Sequence, residues 1–198
     1  MNLPVKGLGK SLNLALIKEL PPYFTKPEID QILSNLWQKQ KLRDYLLVLL
    51  LWQTGARISE LLNIKIEDID FYNSLIKLFT LKRKVKSERV IPLKPQTLGL
   101  VALYVNQKGL SKTDKLFPIT RQQAFNIVRK AVLSVFPGDT KRAHPHVLRH
   151  SFAVYCLSQG VPITVVRSWL GHRNITSTLV YTQALAQDTR KFFEVLEF

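Results

Sequence analysis

From Leu46 to Trp52 the chain reads Leu-Leu-Val-Leu-Leu-Leu-Trp, and the whole of Arg43 to Gln53 is apolar almost all round. A helix with no polar face cannot lie on a surface, so this segment is a buried helix. As the longest apolar run of the chain it is also far too short to span a bilayer. Thr54-Gly55 ends it. A short helix follows near Arg57, with Ile58, Leu61 and Leu62 facing inward and Arg57 and Glu60 three apart on one face.

Further helices are marked by their ends. Thr25-Lys26-Pro27-Glu28 carries a capping residue, a tolerated first-turn proline and a reciprocal glutamate, before Ile29, Ile32, Leu33 and Leu36 repeat at helical spacing. Pro95 opens a helix to about Gln107, ended by Gly109. Thr120 and Gln123 form a second capping box for a helix to about Phe136. Helices are expected over His146–Gln159, Pro162–Leu170 and Thr176–Gln183, and over residues 186–195. Asn73–Thr80 and Arg89–Leu93 read as two strands of a hairpin whose tip, Lys82-Arg83-Lys84-Val85-Lys86-Ser87, is highly basic. The expected fold is mainly α with a small antiparallel β-sheet (α+β). Residues 1–22 read as a basic arm or linker, 23–185 as one domain, and 186–198 as an apolar tail.

Lys and Arg number 29 against 14 acidic residues, a formal charge of +15. That excess favours a polyanion, through counterion release and long-range steering. The single cysteine, Cys156, makes no intrachain disulfide and no cysteine-based zinc site, and reads as a small core residue. With no apolar leader followed by a cleavage site, a cytoplasmic location is expected, with no membrane partner.

The chemistry concentrates in His144-Pro145-His146-Val147-Leu148-Arg149-His150, in Gly171-His172, and in Tyr181, nine residues beyond His172. Breaking a phosphodiester builds charge on its non-bridging oxygens, which metals or cationic donors must neutralise. The sequence has no carboxylate cluster, Walker loop or zincin motif, so neither a metal nor another cofactor is expected and cations take that part. Arginine suits it, because its planar fork donates two parallel bonds to a phosphate and keeps its charge. His146 and Arg149 stand three apart at a helix start and can face one phosphate. Arg57 can bring a second fork from another helix. His172 follows a helix-ending glycine, and Tyr181 is the one candidate nucleophile nearby. A free tyrosine titrates near 10, so surrounding Arg and His are expected to favour its phenolate. A hairpin lysine can protonate the leaving oxygen.

Taken singly, each residue has a plainer reading. Arg57 and Glu60 can be a surface ion pair, and His146 with His150 half a metal site. His172 can be a turn histidine, Tyr181 a half-buried structural ring, and the lysines a solvated tip. Their joint order and spacing separates the two readings.

Thr54-Gly55-Ala56-Arg57-Ile58-Ser59-Glu60-Leu61, Glu88-Arg89-Val90-Ile91-Pro92-Leu93, the His144–His150 stretch, Leu170-Gly171-His172 and Tyr181-Thr182 together resemble the catalytic domain of the tyrosine site-specific recombinases, the phage integrase family, over residues 23–185. The resemblance implies that Arg57 and Arg149 clamp the scissile phosphate and that His146 exchanges a proton with the tyrosine. It implies that His172 bonds the phosphate and that Tyr181 forms a 3′-phosphotyrosyl link. The family's lysine, eight residues before the strand proline, falls on Lys84, with Lys82 and Lys86 as alternatives. Lys82, Arg83, Lys86 and Arg173 are expected to contact DNA. The resemblance further implies double-stranded DNA as partner, a homo-tetramer on two sites, no metal and no ATP, and a tail (Phe192–Phe198) that docks in a neighbouring subunit.

Most members carry a separate N-terminal helical domain where about 20 residues stand here. In that the chain resembles the short members, such as the invertases that switch fimbrial genes. Two rivals stay open at this point: a catalytically inactive DNA-binding regulator of recombination, and a nicking-closing enzyme like the type IB topoisomerases.

Overall fold

The structure, a computed structural model, describes residues 20–82, 85–172 and 176–182, without the side chains of 81–86 and 176. In chain order it runs α1 (Lys26–Gln38), α2 (Leu42–Thr54), α3 (Ile58–Leu61), β1 (Ile69–Asp70), β2 (Leu75–Lys82), β3 (Val85–Pro92), α4 (Pro95–Lys108), α5 (Arg121–Val135), α6 (Pro145–Ser158), α7 (Ile163–Leu170) and α8 (Thr176–Leu179), the last followed by a 3-10 turn over Val180–Thr182. The mainly helical expectation with a small antiparallel sheet holds. The arm (residues 1–19) and everything after Thr182, including the helix expected over 186–195, lie outside the described residues.

The all-apolar segment is α2, and Leu46, Leu47, Leu50 and Leu51 have no exposed surface. It is covered by α6, α1, α4 and α5. Each such leucine contributes roughly 1.5–3 kcal/mol on leaving water, so α2 is the axis on which the site is mounted. Its C-terminal end is set by Gly55, whose φ is +58°. A Cβ there would stand 2.5 Å from Phe152 Cδ1 and 2.9 Å from Leu170 Cδ2. The position therefore takes glycine both for its left-handed dihedral and for the close approach of α6 and α7.

The capping boxes are present at both expected places. Thr25 N–H donates to Glu28 Oε2 at 2.8 Å, and Gln123 N–H donates to Thr120 Oγ1 at 3.2 Å. Helix α6 begins at Pro145, one residue before the expected start, with His144 extended at its N-cap. Cys156 is buried, and burial pushes its thiol up to about 12. Among the described residues no helix is long and apolar enough to cross a membrane.

The sheet has the order β1-β2-β3. Strands β2 and β3 pair from Leu75↔Pro92 to Lys82↔Val85, further than the expected 73–80 and 89–93. A ladder is held by backbone groups, so a solvated antiparallel hairpin continues through lysines that read as loop. Lys82 and Lys86 thus stand in strands, and Arg83 and Lys84, outside the described residues, come between them. Ile76, Leu78 and Thr80 on β2 are buried, as are Ile91 on β3 and Leu93 just after it. Arg89 is opposite Leu78 and two residues before Ile91, which puts a charged residue on the inward face.

Candidate active site

Where α2, α6 and α7 meet, the ends of α2 and α7 hold an arginine. Arg149, on α6, is 4% exposed. Its Nη1 donates to the carbonyl of Gly55 at 2.5 Å, and its Nη2 to the carbonyl of Leu170 at 2.6 Å. The two glycine-ended helices therefore aim backbone dipoles at one guanidinium. Burial and the neighbouring Arg57 lower its pKa to about 10, so it stays charged at neutral pH.

Arg57 is the N-cap residue of α3 and about a quarter exposed. Its backbone N–H donates to Glu60 Oε2 at 2.8 Å and its Nη1 to Glu60 Oε1 at 2.8 Å. Glu60 is buried rather than superficial. It also accepts from Thr80 Oγ1 at 2.7 Å and from Arg89 Nη2 at 2.6 Å. Burial alone would raise this carboxyl, but the hydrogen bond and charge of Arg89, with Arg57 N–H and Thr80, outweigh it and hold the pKa at about 2. The plain surface-pair reading of Arg57 and Glu60 is thereby replaced by an inward carboxylate shared between two arginines.

All four histidines gather here. His146 is exposed in the first turn of α6. Its pKa is lowered by desolvation, then by Arg149, His144, Arg57 and Arg121. His172 follows Gly171, whose φ of +63° caps α7. Its Nδ1 lies 3.0 Å from Thr178 Oγ1 of α8. Burial and then Arg149, Arg57 and Arg89 push its pKa down to about 4, so the ring is neutral at pH 7. His150 Nδ1 lies 2.7 Å from the Tyr181 hydroxyl. Burial and its neighbours His146 and Arg149 push His150 down to about 4 as well. Tyr181 is 3% exposed. Burial raises its pKa and Arg149 lowers it, and burial prevails. The expected phenolate is therefore not favoured in the free protein, because desolvation penalises it more than the one nearby guanidinium helps.

Arg57, His146, His172 and Tyr181 are thus all brought within electrostatic reach of Arg149. Lys84, Arg83 and Arg173 lie outside the described residues, and Lys82 and Lys86 are placed by their backbone alone. Sequence reasoning gave no part in the phosphate chemistry to Glu60, Thr80, Arg89, His150 or Thr178. Only Arg89 carried a local signal, an arginine in register with Ile91 and Leu93 on the buried face of a strand. The others are defined by partners 20 to 31 positions away for Thr80, Glu60 and His150, or by a turn that must first fold, for Thr178.

A helical domain with a three-stranded sheet, gathering arginines and histidines beside a buried tyrosine, has the fold of the tyrosine recombinase catalytic domains. It superposes on the crystal structure of XerA recombinase with a TM-score of 0.76 at 24% identity, over 91% of this chain and 68% of that one. On XerH site-specific recombinase bound to palindromic difH substrate, a post-cleavage complex, the score is 0.75 at 23% identity, over 89% and 54%. The family model described as "Phage integrase family" matches residues 22–188, and the chain belongs to that family. Its relatives include a tyrosine recombinase of Pseudothermotoga lettingae, 35% identical over 93% of this chain and 63% of its own length. Tyrosine recombinase XerA of Pyrococcus horikoshii is 34% identical, over 93% and 65%. The chain therefore spans under two thirds of the length of these relatives.

Proposed function

We propose that the protein is a site-specific DNA recombinase that cleaves and rejoins duplex DNA through a 3′-phosphotyrosyl link to Tyr181. The observation that carries this reading is the convergence of four separated motifs. Arg57, Arg149, His146 and His172 surround one place, and the hydroxyl of Tyr181, bonded to His150 at 2.7 Å, lies beside them. Family membership and the charge of +15 point to the same polyanionic substrate.

The scissile phosphate is taken by the free donors of Arg57 and by Arg149, whose hydrogen bonds go to backbone carbonyls and not to a carboxylate. The N-terminal end of α6 adds a partial positive charge. Nδ1 of His172 faces the Thr178 hydroxyl at 3.0 Å; the neutral tautomer that accepts there carries its proton on Nε2, where it can be donated to a non-bridging oxygen. Tyr181 moves out of its buried position to reach phosphorus. Its Oη–P bond forms as the P–O5′ bond breaks. The phenolic proton passes to a histidine, with His150 in contact in the resting position and His146 as the acid/base partner at the phosphate. The 5′ oxygen takes a proton from a hairpin lysine, Lys84 by the family's spacing. One phosphodiester replaces another, so the bond energy is kept and rejoining is the same step reversed. The proposed assembly is a homo-tetramer on two DNA sites, with residues 186–198 docking in a neighbour.

Covalent trapping tests this. Wild type and Tyr181→Phe are incubated with end-labelled duplex fragments from around the gene and quenched in SDS. A 3′-linked adduct with wild type and none with the variant is expected. Salt-sensitive DNA binding with no adduct on any fragment would instead favour an accessory DNA-binding role.

A further inference from the structure

We propose that Arg89, to which the chemistry above gives no role, is a positioning residue for strand cleavage, setting Arg57 through Glu60 and His172 through the carbonyl of Trp169. The part in cleavage rests on the recombinase function proposed above, and the positioning rests on geometry alone.

The side chain of Arg89 is 8% exposed and joins three elements. Its Nε donates to the carbonyl of Trp169, in the last turn of α7, at 2.6 Å. Its Nη1 donates to Thr80 Oγ1 of β2 at 3.0 Å, and its Nη2 to Glu60 Oε2 of α3 at 2.6 Å. A guanidinium suits the position because its donors are fixed in one plane, so setting one bond sets the others. Gly171, two residues past Trp169, makes room for it: a Cβ there would stand 3.1 Å from Arg89 Nη1. The glycine that ends α7 ahead of His172 is thus also the one that lets Arg89 approach.

Two consequences follow for the phosphate site. First, Glu60 is the carboxylate against which Arg57 rests. Each of its oxygens already has two donors, and Arg89 holds one of those places. Without Arg89, the Oε2 of a buried carboxylate would be short of a donor and of a counter-charge, and Arg57 is the group free to fill that gap. Arg89 therefore keeps Arg57 from being drawn wholly onto Glu60. Second, the carbonyls of Trp169 and Leu170 are adjacent in the chain. Arg89 takes the first and Arg149 the second. The turn that presents His172 is held from both sides by guanidinium groups on different elements.

The test uses the full chain with Arg89→Lys and Arg89→Met. A lysine ammonium can reach Glu60 but cannot span Glu60, Thr80 and the Trp169 carbonyl at once, so it separates charge from geometry. The adduct-forming rate is expected to fall about a hundredfold in Arg89→Met and about tenfold or more in Arg89→Lys, with DNA affinity changed less than about fivefold. In the free protein, the imidazole 15N–1H resonances of His172 are expected to move in both variants while cooperative thermal unfolding is kept. A stabilising role alone would lower the melting temperature and leave those resonances and the rate in place. His172 resonances superimposable on wild type in Arg89→Lys, or adduct formation within about threefold of wild type in Arg89→Met, would overturn the proposal. If both variants fail to fold, Thr80→Val carries the test. It removes one bond each to Arg89 and Glu60 from a residue of similar shape, and a rate equal to wild type would overturn the proposal. A wild type that forms no adduct would break the recombinase reading, and the His172 resonances would still decide the positioning.

Discussion

Two arginines face the same place and are held in opposite ways. Arg149 is buried on α6, where two backbone carbonyls, Gly55 and Leu170, take its donors. Arg57 is partly exposed at the start of α3 and rests on a full negative charge, Glu60, which it shares with Arg89. Carbonyl dipoles orient a cation without cancelling it, so burial leaves Arg149 short of a counter-ion, as its fall to about 10 reflects. In the proposed reaction the scissile phosphate provides that counter-ion. Arg57 already has one and keeps a precise place at the cost of some field. The helical side of the site thus provides charge in want of an anion, and the sheet side provides registration.

The sharpest way to break this contrast is to replace each arginine by lysine. A single ammonium cannot bridge the Gly55 and Leu170 carbonyls, so Arg149→Lys is expected to slow adduct formation about a thousandfold, roughly 4 kcal/mol of transition-state stabilisation. Arg57→Lys keeps a cation against Glu60 and is expected to cost about tenfold to thirtyfold. Single-turnover cleavage of one duplex by the two variants measures both. Equal losses would mean that the manner of holding does not matter.

Acid sharpens the contrast next. His150 and His172 are neutral in the folded state, with pKa values pushed down to about 4, against about 6.5 when unfolded. Below 6.5 the unfolded chain binds protons that the folded chain refuses, so stability is lost as pH falls from about 6.5 to about 4, by about 2 kcal/mol after allowance for partial exposure. Glu60, held at about 2, adds a further loss between about 4.5 and 2 as its carboxylate is protonated. Denaturant titrations at pH 7, 5.5 and 4 follow this, and a flat profile between 7 and 4 would show that the histidines are not held neutral.

The smallest effect concerns the turn that carries His172. Thr178→Val removes the partner of Nδ1 while keeping the side chain's shape. Cleavage is expected to slow about fivefold, about 1 kcal/mol, with unchanged DNA affinity. An effect as large as that of Arg149→Lys would move the dominant role from the arginine to the tautomer of His172.

What could be read from the sequence differs between these regions for a physical reason. Helix ends were legible because caps are local: Thr25 and Glu28, or Thr120 and Gln123, are three residues apart and satisfy each other's backbone donors. The reach of the hairpin was misread because lysines near its tip look like loop, whereas backbone pairing decides where a ladder stops. Arg57 and Glu60 were placed on one helical face by spacing, but spacing cannot tell whether that face is inward. That depended on β3 bringing Arg89 from 29 positions away.

The sequence by itself determined the buried axis Leu46–Trp52, the mainly helical class with a basic hairpin, and the residues proposed to meet a phosphate: Arg57, His146, Arg149, His172 and Tyr181. Periodicity, capping and charge are properties of neighbouring residues, so they survive without a fold. Only the tertiary structure decided which arginine has no carboxylate bonded to it, that His150 is the partner of Tyr181, and that burial raises the phenol's pKa. Those depend on desolvation and on contacts across tens of positions, and both come into being only when α2, α6, α7 and the sheet close on one another.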